Sequence, residues 1–161
     1  MRRIVANVSH GTTLAFVLVG WVCLIVILPL WPASWWYSLD KVEVTDQISP
    51  EGGRVMVIDR TIRRPFIGDY RVEEQLMLQA GTYFTAQVCK GEVIRYRVDA
   101  SLPPVPTLEW WKGDHCTMRW PYMKLPAGTY RICTWVTVRP AYFPEKEVSI
   151  CSNDFSRGSS P

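Results

Sequence analysis

The chain has 161 residues, of which 48% are hydrophobic and 20% are charged, and its formal net charge at pH 7 is +3. Residues 40–161 carry nearly balanced charge without a basic run, which argues against a nucleic-acid-binding protein. Those residues are enough for one domain that buries its own core.

An apolar segment precedes that domain. It runs from Thr12 to Trp31 without a charged side chain. At about 1.5 Å per residue, a helix of this length spans about 30 Å, which matches the hydrocarbon core of a bilayer. The pattern predicts a transmembrane helix over residues 12–31. Two small residues spaced four apart, Gly11 and Ala15, leave self-association through this helix open.

The charges on either side of the segment predict its orientation. Arg2 and Arg3 precede it, and the first charged residue after it is Asp40. The positive-inside rule therefore predicts a cytoplasmic tail over residues 1–11, insertion in the cytoplasmic (inner) membrane, and a periplasmic or extracellular remainder. A cleaved signal peptide is the alternative, but the residues around Trp31 lack a well-placed pair of small side chains for cleavage. An uncleaved signal anchor is favoured.

A short aromatic linker over residues 32–40 joins the predicted helix to the domain. Tryptophan and tyrosine are enriched where transmembrane helices leave the lipid. The sequence therefore predicts that the lipid bilayer is contacted at its surface by four interfacial anchors, Trp31, Trp35, Trp36 and Tyr37.

Short runs of alternating or β-branched residues follow, separated by Gly and Pro, and none has the period of an amphipathic helix. This pattern predicts an all-β ectodomain, an antiparallel β-sandwich of about seven strands over residues 41–152. Lys90 and Gly91 are expected to form a tight turn into the next strand, over residues 92–98. The polar tail over residues 153–161 is predicted to be disordered.

Four cysteines lie in the predicted domain, an even number in a compartment that permits disulfides. Sequence alone leaves three pairings open. Symmetry favours Cys133–Cys151, because these residues are equidistant from Tyr142 in a turn-like segment. It also favours Cys89–Cys116, because these residues straddle a Pro-rich stretch.

Two segments carry resemblances to known proteins. Leu125 to Cys133 reads Leu-Pro-Ala-Gly-Thr-Tyr-Arg-Ile-Cys and resembles the turn-into-strand element of immunoglobulin-like sandwiches, which implies that fold. The disulfide of that family does not carry over, since two residues rather than one separate Tyr130 from the cysteine. The whole arrangement, with Arg-Pro-Phe-Ile-Gly-Asp-Tyr at Arg64 to Tyr70, also resembles small membrane-anchored proteins of phages and prophages. That second resemblance implies no known activity.

The titratable residues form no catalytic or metal-binding pattern. His115 is the only histidine beyond the apolar segment, and its neighbour Cys116 is expected to be oxidised. Asp114 adds a carboxylate, but no Cys-x-x-Cys or His-x-x-x-His spacing is present. Nothing local recommends a glycosidase pair of carboxylates. We therefore predict that the protein is not an enzyme and uses no metal or cofactor.

Two candidate binding surfaces stand out instead. Trp110 and Trp111 follow the Pro-rich stretch, and on a strand one of them would enter the core while the other is exposed. The alternative, which is favoured, has both rings packed over the Cys89–Cys116 disulfide. In the second candidate, two cations adjoin an aromatic expected to be exposed: Arg63, Arg64 and Phe66.

These observations favour a single-pass, non-catalytic binding module that contacts a protein or glycan partner outside the cytoplasm. Two alternatives stay open. One is a phage-encoded envelope factor that acts on the host, in lysis or superinfection exclusion. The other, less favoured, is an envelope enzyme that acts on glycans.

Overall fold

A computed structural model describes residues 2–121 and 124–158, beginning with one long apolar helix. This helix, α1 (Arg2–Leu30), ends one residue before Trp31. Its stretch Gly11–Leu30 has a mean hydropathy of 2.7, and none of that stretch is buried against the rest of the chain. The sequence prediction of one apolar helix, long enough to cross a membrane, is confirmed in length and composition.

The smaller of two antiparallel sheets follows at once. Its strands are β1 (Tyr37–Ile48) and β2 (Arg54–Ile62), which form a two-stranded sheet. Gly52 lies in the connecting turn with a φ of 94°, a conformation that favours glycine. The register shifts along the pair, so that the β1 residues facing the core do not alternate strictly.

The larger sheet has seven strands among the described residues, in the order β6-β4-β3-β7-β8, with β5 paired to β3 and β9 paired to β7. The two long central strands, β3 and β7, pair over ten residues, from Ile67–Arg139 to Leu76–Tyr130. The strand bounds are β3 (Phe66–Met77), β4 (Tyr83–Lys90), β5 (Ile94–Tyr96), β6 (Cys116–Met118), β7 (Gly128–Arg139), β8 (Lys146–Cys151) and β9 (Phe155–Arg157).

One hydrophobic core joins the two sheets. Alternate residues of β3 and β7 are buried, as the period of two in a strand requires. They share a single cluster with the buried residues of the smaller sheet, among them Leu39, Val44 and Met56. The predicted antiparallel β domain is therefore confirmed at this level. The strands divide into two and seven, whereas an immunoglobulin constant domain divides them into four and three.

The segment after β4 departs from the predicted hairpin. Gly91 donates its backbone N–H to the carbonyl of Tyr70, 2.9 Å away, which keeps the chain on the edge of β3 that β4 already occupies. As a result, β5 pairs with the start of β3 instead of with β4, and only Tyr96 of this strand is buried. The predicted tight turn at Lys90 and Gly91 is therefore wrong, since residues 91–93 stay extended and carry the chain in the same direction from β4 to β5.

The predicted disorder of residues 153–161 is wrong for the start of that tail. The side chain of Asn153 makes two hydrogen bonds to the backbone of Val44, at 2.8 and 3.0 Å. Phe155 is buried, and its strand pairs with the beginning of β7. Aromatic burial and backbone pairing offset the conformational entropy that a polar tail would otherwise keep. Residues 159–161 lie outside the described residues.

Both predicted disulfides are present, Cys89–Cys116 and Cys133–Cys151. In each pair the two cysteines are direct cross-strand neighbours: Cys89 opposes Cys116 between β4 and β6, and Cys133 opposes Cys151 between β7 and β8. The first bridge thus ties the short strand β6 to the sheet.

The four predicted membrane-interface anchors divide into two groups. Trp36 and Tyr37 are buried in the domain core, because Tyr37 begins β1 and its ring lies 5.7 Å from that of Phe66. Their assignment as lipid-facing anchors is therefore wrong. Trp35 remains 39% exposed, and Trp31 is half-buried beside it, with 4.2 Å between the ring centroids.

Candidate functional site: an aromatic pocket

A cavity of about 370 Å³ opens on one flank of the domain, between the larger sheet and the segment around Trp110. This volume lies within the range of small-molecule sites, roughly 300–1,000 Å³. We call it the aromatic pocket, because five of its lining residues carry aromatic rings: Tyr37, Tyr70, Tyr96, Trp110 and Trp111.

A short helix positions the two tryptophans. The helix α2 (Leu108–Lys112) begins at Thr107, whose hydroxyl accepts a hydrogen bond from the backbone N–H of Trp110 at 3.3 Å. Trp111 points into the core, and its indole N–H donates to the Thr134 hydroxyl at 2.9 Å. Trp110 stays 47% exposed at the pocket.

The favoured expectation that both tryptophans pack over the disulfide is therefore wrong for Trp110. One ring is buried and the other exposed, as in the other alternative, but not for the reason of strand alternation. Helical geometry turns successive side chains by about 100°, and a strand alternates them by 180°. The residue available to a ligand is Trp110. Trp111 forms part of the supporting wall.

Tyr70 forms another wall and is held between two glycines. A Cβ atom added at Gly91 would overlap the Tyr70 ring. One added at Gly113 would lie 2.6 Å from its hydroxyl oxygen, and Gly113 has a φ of 72°. Both positions therefore require glycine for the ring to keep its place.

Tyr37 and Tyr96 make the inner end of the pocket. Their ring centroids are 5.9 Å apart, and Phe66 stacks on Tyr96 at 4.5 Å behind them. Burial raises the pKa of Tyr37 to about 12 and raises the pKa of Tyr96 as well. Both phenols are thus neutral at physiological pH, and as nearly buried side chains they make this end of the pocket apolar.

Charged side chains of both signs surround this aromatic wall. The cations Arg60 and Lys90 and the carboxylates Glu92 and Asp114 all belong to the lining of the cavity. His115 Nε2 lies 3.7 Å from a Glu92 carboxylate oxygen, and both side chains are well exposed. The mouth of the pocket can therefore donate and accept hydrogen bonds without a strong net charge.

A buried ionic network anchors α2 from below, and the sequence analysis missed it. Lys112 Nζ lies 2.8 Å from a carboxylate oxygen of Glu74 and 3.0 Å from the side-chain oxygen of Gln87. The other oxygen of Glu74 accepts from Arg157 at 2.5 Å, and the Glu74 side chain has no exposed surface. The signal for it was Glu74 itself, a carboxylate in register with the inward positions of β3.

The second candidate surface is separate from the pocket. Phe66 is buried in the core, so its predicted exposure is wrong. Arg63 donates to the backbone carbonyl of Ser34 at 2.6 Å, and the Arg64 guanidinium lies 4.2 Å from the centre of the Trp35 ring. These two cations therefore lie beside the end of α1.

No metal site accompanies the pocket. Within residues 2–121 and 124–158, no group of three or more His, Cys, Asp or Glu side chains could hold a metal ion. Cys116, next to His115, is in a disulfide and carries no thiol.

Comparison with known proteins gave no match: no protein family, curated protein or solved structure is similar to this chain. The resemblances to immunoglobulin-like domains and to phage membrane proteins therefore stay predictions.

Proposed function

We propose that the protein is a single-pass, membrane-anchored, non-catalytic binding module, and that the aromatic pocket is its ligand site. In this proposal α1 holds the domain against the outer surface of the cytoplasmic membrane. The observation that carries the proposal is the convergence of five aromatic rings on one cavity of about 370 Å³.

A sugar unit is the ligand class that suits this lining best. Aromatic rings pack against the apolar face of a sugar, while its hydroxyl groups need donors and acceptors around the edge. The pocket combines both, because Tyr70 and Trp110 flank the cavity and residues such as Arg60 and Asp114 surround them. Charges of both signs favour a neutral glycan over a strongly charged ligand.

The test is binding of the full chain, held in lipid nanodiscs, to an array of envelope and cell-surface oligosaccharides. A positive glycan is then titrated against the Trp110→Ala variant. Loss of this exposed ring is expected to weaken binding by about 2 kcal/mol, roughly thirty-fold. Trp135→Ala is the matched control, since that ring packs against Arg71, 4.5 Å from its centre, and does not line the pocket.

Three outcomes decide the matter. Binding lost in Trp110→Ala and retained in Trp135→Ala supports the proposal. Equal loss in both variants, or no glycan bound by the folded wild-type chain, contradicts a glycan site. A photo-crosslinker at position 110 that captures one protein would then assign the pocket to protein recognition.

A further inference from the structure

One end of the domain lies directly against the end of α1. The turn between β7 and β8 carries Phe143, whose ring centroid is 4.9 Å from that of Trp36 and 6.3 Å from that of Trp31. The Lys146 ammonium group bonds the backbone carbonyl of Pro29, in the last turn of α1. We call this the helix-proximal end; it comprises residues 63–67, 95 and 139–146.

Exposed apolar and aromatic groups lie at the helix-proximal end. Tyr142 is 96% exposed at the tip of the turn, with a φ of 68° that non-glycine residues rarely adopt. Ile67 is 45% exposed on the adjoining strand. In water these side chains gain nothing from their positions, whereas a tyrosine at a bilayer surface keeps its ring in an apolar layer and its hydroxyl hydrated.

Cations stand beside these apolar groups. The β-sheet register sets Arg95 and Arg139 on either side of Ile67, as direct cross-strand neighbours. Arg139 is held by two carboxylates, Asp69 at 2.8 Å and Glu145 at 2.7 Å. In the described part of the chain, by contrast, no ion pair involves Arg95 or Arg64; both are exposed, and the Arg64 guanidinium lies over the Trp35 ring.

A cavity of about 460 Å³ lies among these groups. It is lined by Arg95 of β5, by Arg139 of β7 and by Pro65 of the loop before β3. Its apolar lining includes Pro65, Ile67 and Ala141. The guanidinium group suits phosphate because its planar fork donates two parallel hydrogen bonds. The cavity thus joins a phosphate-binding chemistry to an apolar surface.

We propose that the helix-proximal end is a binding site for anionic phospholipid headgroups, with phosphatidylglycerol as the occupant. Arg95, which lines the cavity, binds phosphate, and Arg64, which lies outside the cavity over the Trp35 ring, adds a second cation at this end. Tyr142 and Ile67 enter the headgroup layer. The inference rests on the proposed function, because α1 must cross the bilayer to bring this end to its surface. A protein partner fits poorly here, since only residues 31–36 separate α1 from β1.

The experiment measures contact with each lipid by fluorescence quenching. A bimane label is attached at Ala141→Cys in a Cys23→Ala background, and the full chain is reconstituted in phosphatidylcholine vesicles. These contain an equal small fraction of either brominated phosphatidylglycerol or brominated phosphatidylcholine. The proposal expects stronger quenching by the anionic lipid, since each cation near a membrane contributes about a five-fold preference.

Variants and a second label complete the test. Arg64→Gln with Arg95→Gln is expected to abolish the difference between the two lipids. Arg119→Gln, an exposed arginine at the far end of β6, is the matched control and is expected to keep it. A label at Glu51→Cys, in the turn between β1 and β2, is expected to show no quenching by either lipid.

Failure of the inference differs visibly from failure of the proposed function. Equal quenching by both lipids, or none at position 141, overturns the headgroup site when the protein still resists alkaline carbonate extraction. Extraction of the protein by carbonate overturns the membrane anchoring and the headgroup site together. Lipid selectivity that survives in the double variant also overturns the assignment to Arg64 and Arg95.

Discussion

The carboxylate of Asp69 illustrates how a single side chain on the outer face of the sheet depends on its partners. Desolvation alone would raise its pKa, but hydrogen bonds from Thr137 and Arg139 outweigh that effect and hold the pKa below the ordinary 3.8. A carboxyl group whose pKa is lowered by folding stabilises the folded state only while it is ionised.

This gives a pH prediction. The contribution of Asp69 is complete above its unfolded pKa and is lost as the pH falls through the lower folded value. Urea unfolding at a series of pH values should therefore show Asp69→Asn less stable than wild type at neutral pH. The difference should shrink as the pH falls below about 4. A difference that stays constant throughout the acid range would contradict this role of the ionised group.

Single residues also mark how far the sequence could predict the site. It left open that one ring of Trp110 and Trp111 would be exposed, because adjacent residues on a strand face opposite ways. It could not tell which one, since that depends on the helical turn that Thr107 caps. The burial of Phe66 was missed for a similar reason: its neighbours in space, Tyr37 and Tyr96, are distant in sequence.

Among the elements, the stability of α2 comes from a buried ion pair more than from helical hydrogen bonds, since the helix has only five residues. A helix this short is unstable alone and needs tertiary contacts. Lys112 supplies one by reaching Glu74, whose other carboxylate oxygen binds Arg157. Removing one partner of a buried ion pair leaves a charge that is only partly compensated.

We therefore predict that Lys112→Met destabilises the protein by about 3 kcal/mol, the lower end of the range for a buried charge that loses its partner, because Arg157 still pairs with Glu74. Lys41→Met is the matched control: it breaks an exposed pair with Glu43, 2.6 Å apart, and should cost less than about 1 kcal/mol. Chemical denaturation followed by tryptophan fluorescence measures both. Equal effects of the two substitutions would show that Glu74 does not need Lys112.

The two disulfides can be compared directly, because they close loops of similar length. Their loops span 27 residues for Cys89–Cys116 and 18 residues for Cys133–Cys151, so each should stabilise the fold by about 3 kcal/mol. Only the first closes the segment that carries α2 and both tryptophans of the pocket.

Replacing Cys89 and Cys116 by alanine should thus lower both stability and ligand affinity. The same replacement of Cys133 and Cys151 should lower stability by a similar amount and leave the affinity of the folded protein unchanged. Titration of the ligand at a temperature where both variants stay folded separates the two effects. Equal affinities would show that the α2 segment keeps its conformation without the bridge.

Element by element, the sequence predicted what local pattern determines and missed what long-range pairing decides. The long central strands alternate clearly, and the cysteines lie symmetrically about their turns, so both were predicted. The pairing of β5 with β3 could not be, because it follows from the backbone bond between Gly91 and Tyr70, twenty-one positions apart in the chain. The ordered strand β9 was missed because its polar neighbours conceal one buried ring, Phe155.

For the whole molecule, the proposed membrane anchoring raises the question of which side of the bilayer the domain occupies. The structure supplies an apolar helix and two disulfides, and the sequence supplies Arg2 and Arg3 before the helix. Disulfides persist outside the cytoplasm and are rare within it. The positive-inside rule and the cysteine pairing therefore predict the same side by independent physical arguments.

A change in the orientation of the chain should consequently change the oxidation state of its cysteines. With Arg2→Glu and Arg3→Glu, part of the protein is expected to insert with its domain in the cytoplasm, where its cysteines stay reduced. Thiol alkylation without reductant, read as a mass shift, should label only Cys23 in the wild-type chain but all five cysteines in the inverted fraction. Arg2→Lys with Arg3→Lys keeps the charge and should label like wild type. If the glutamate variant also shows a single reactive cysteine, these two arginines do not orient the chain, and the length of the apolar helix alone would have to direct translocation.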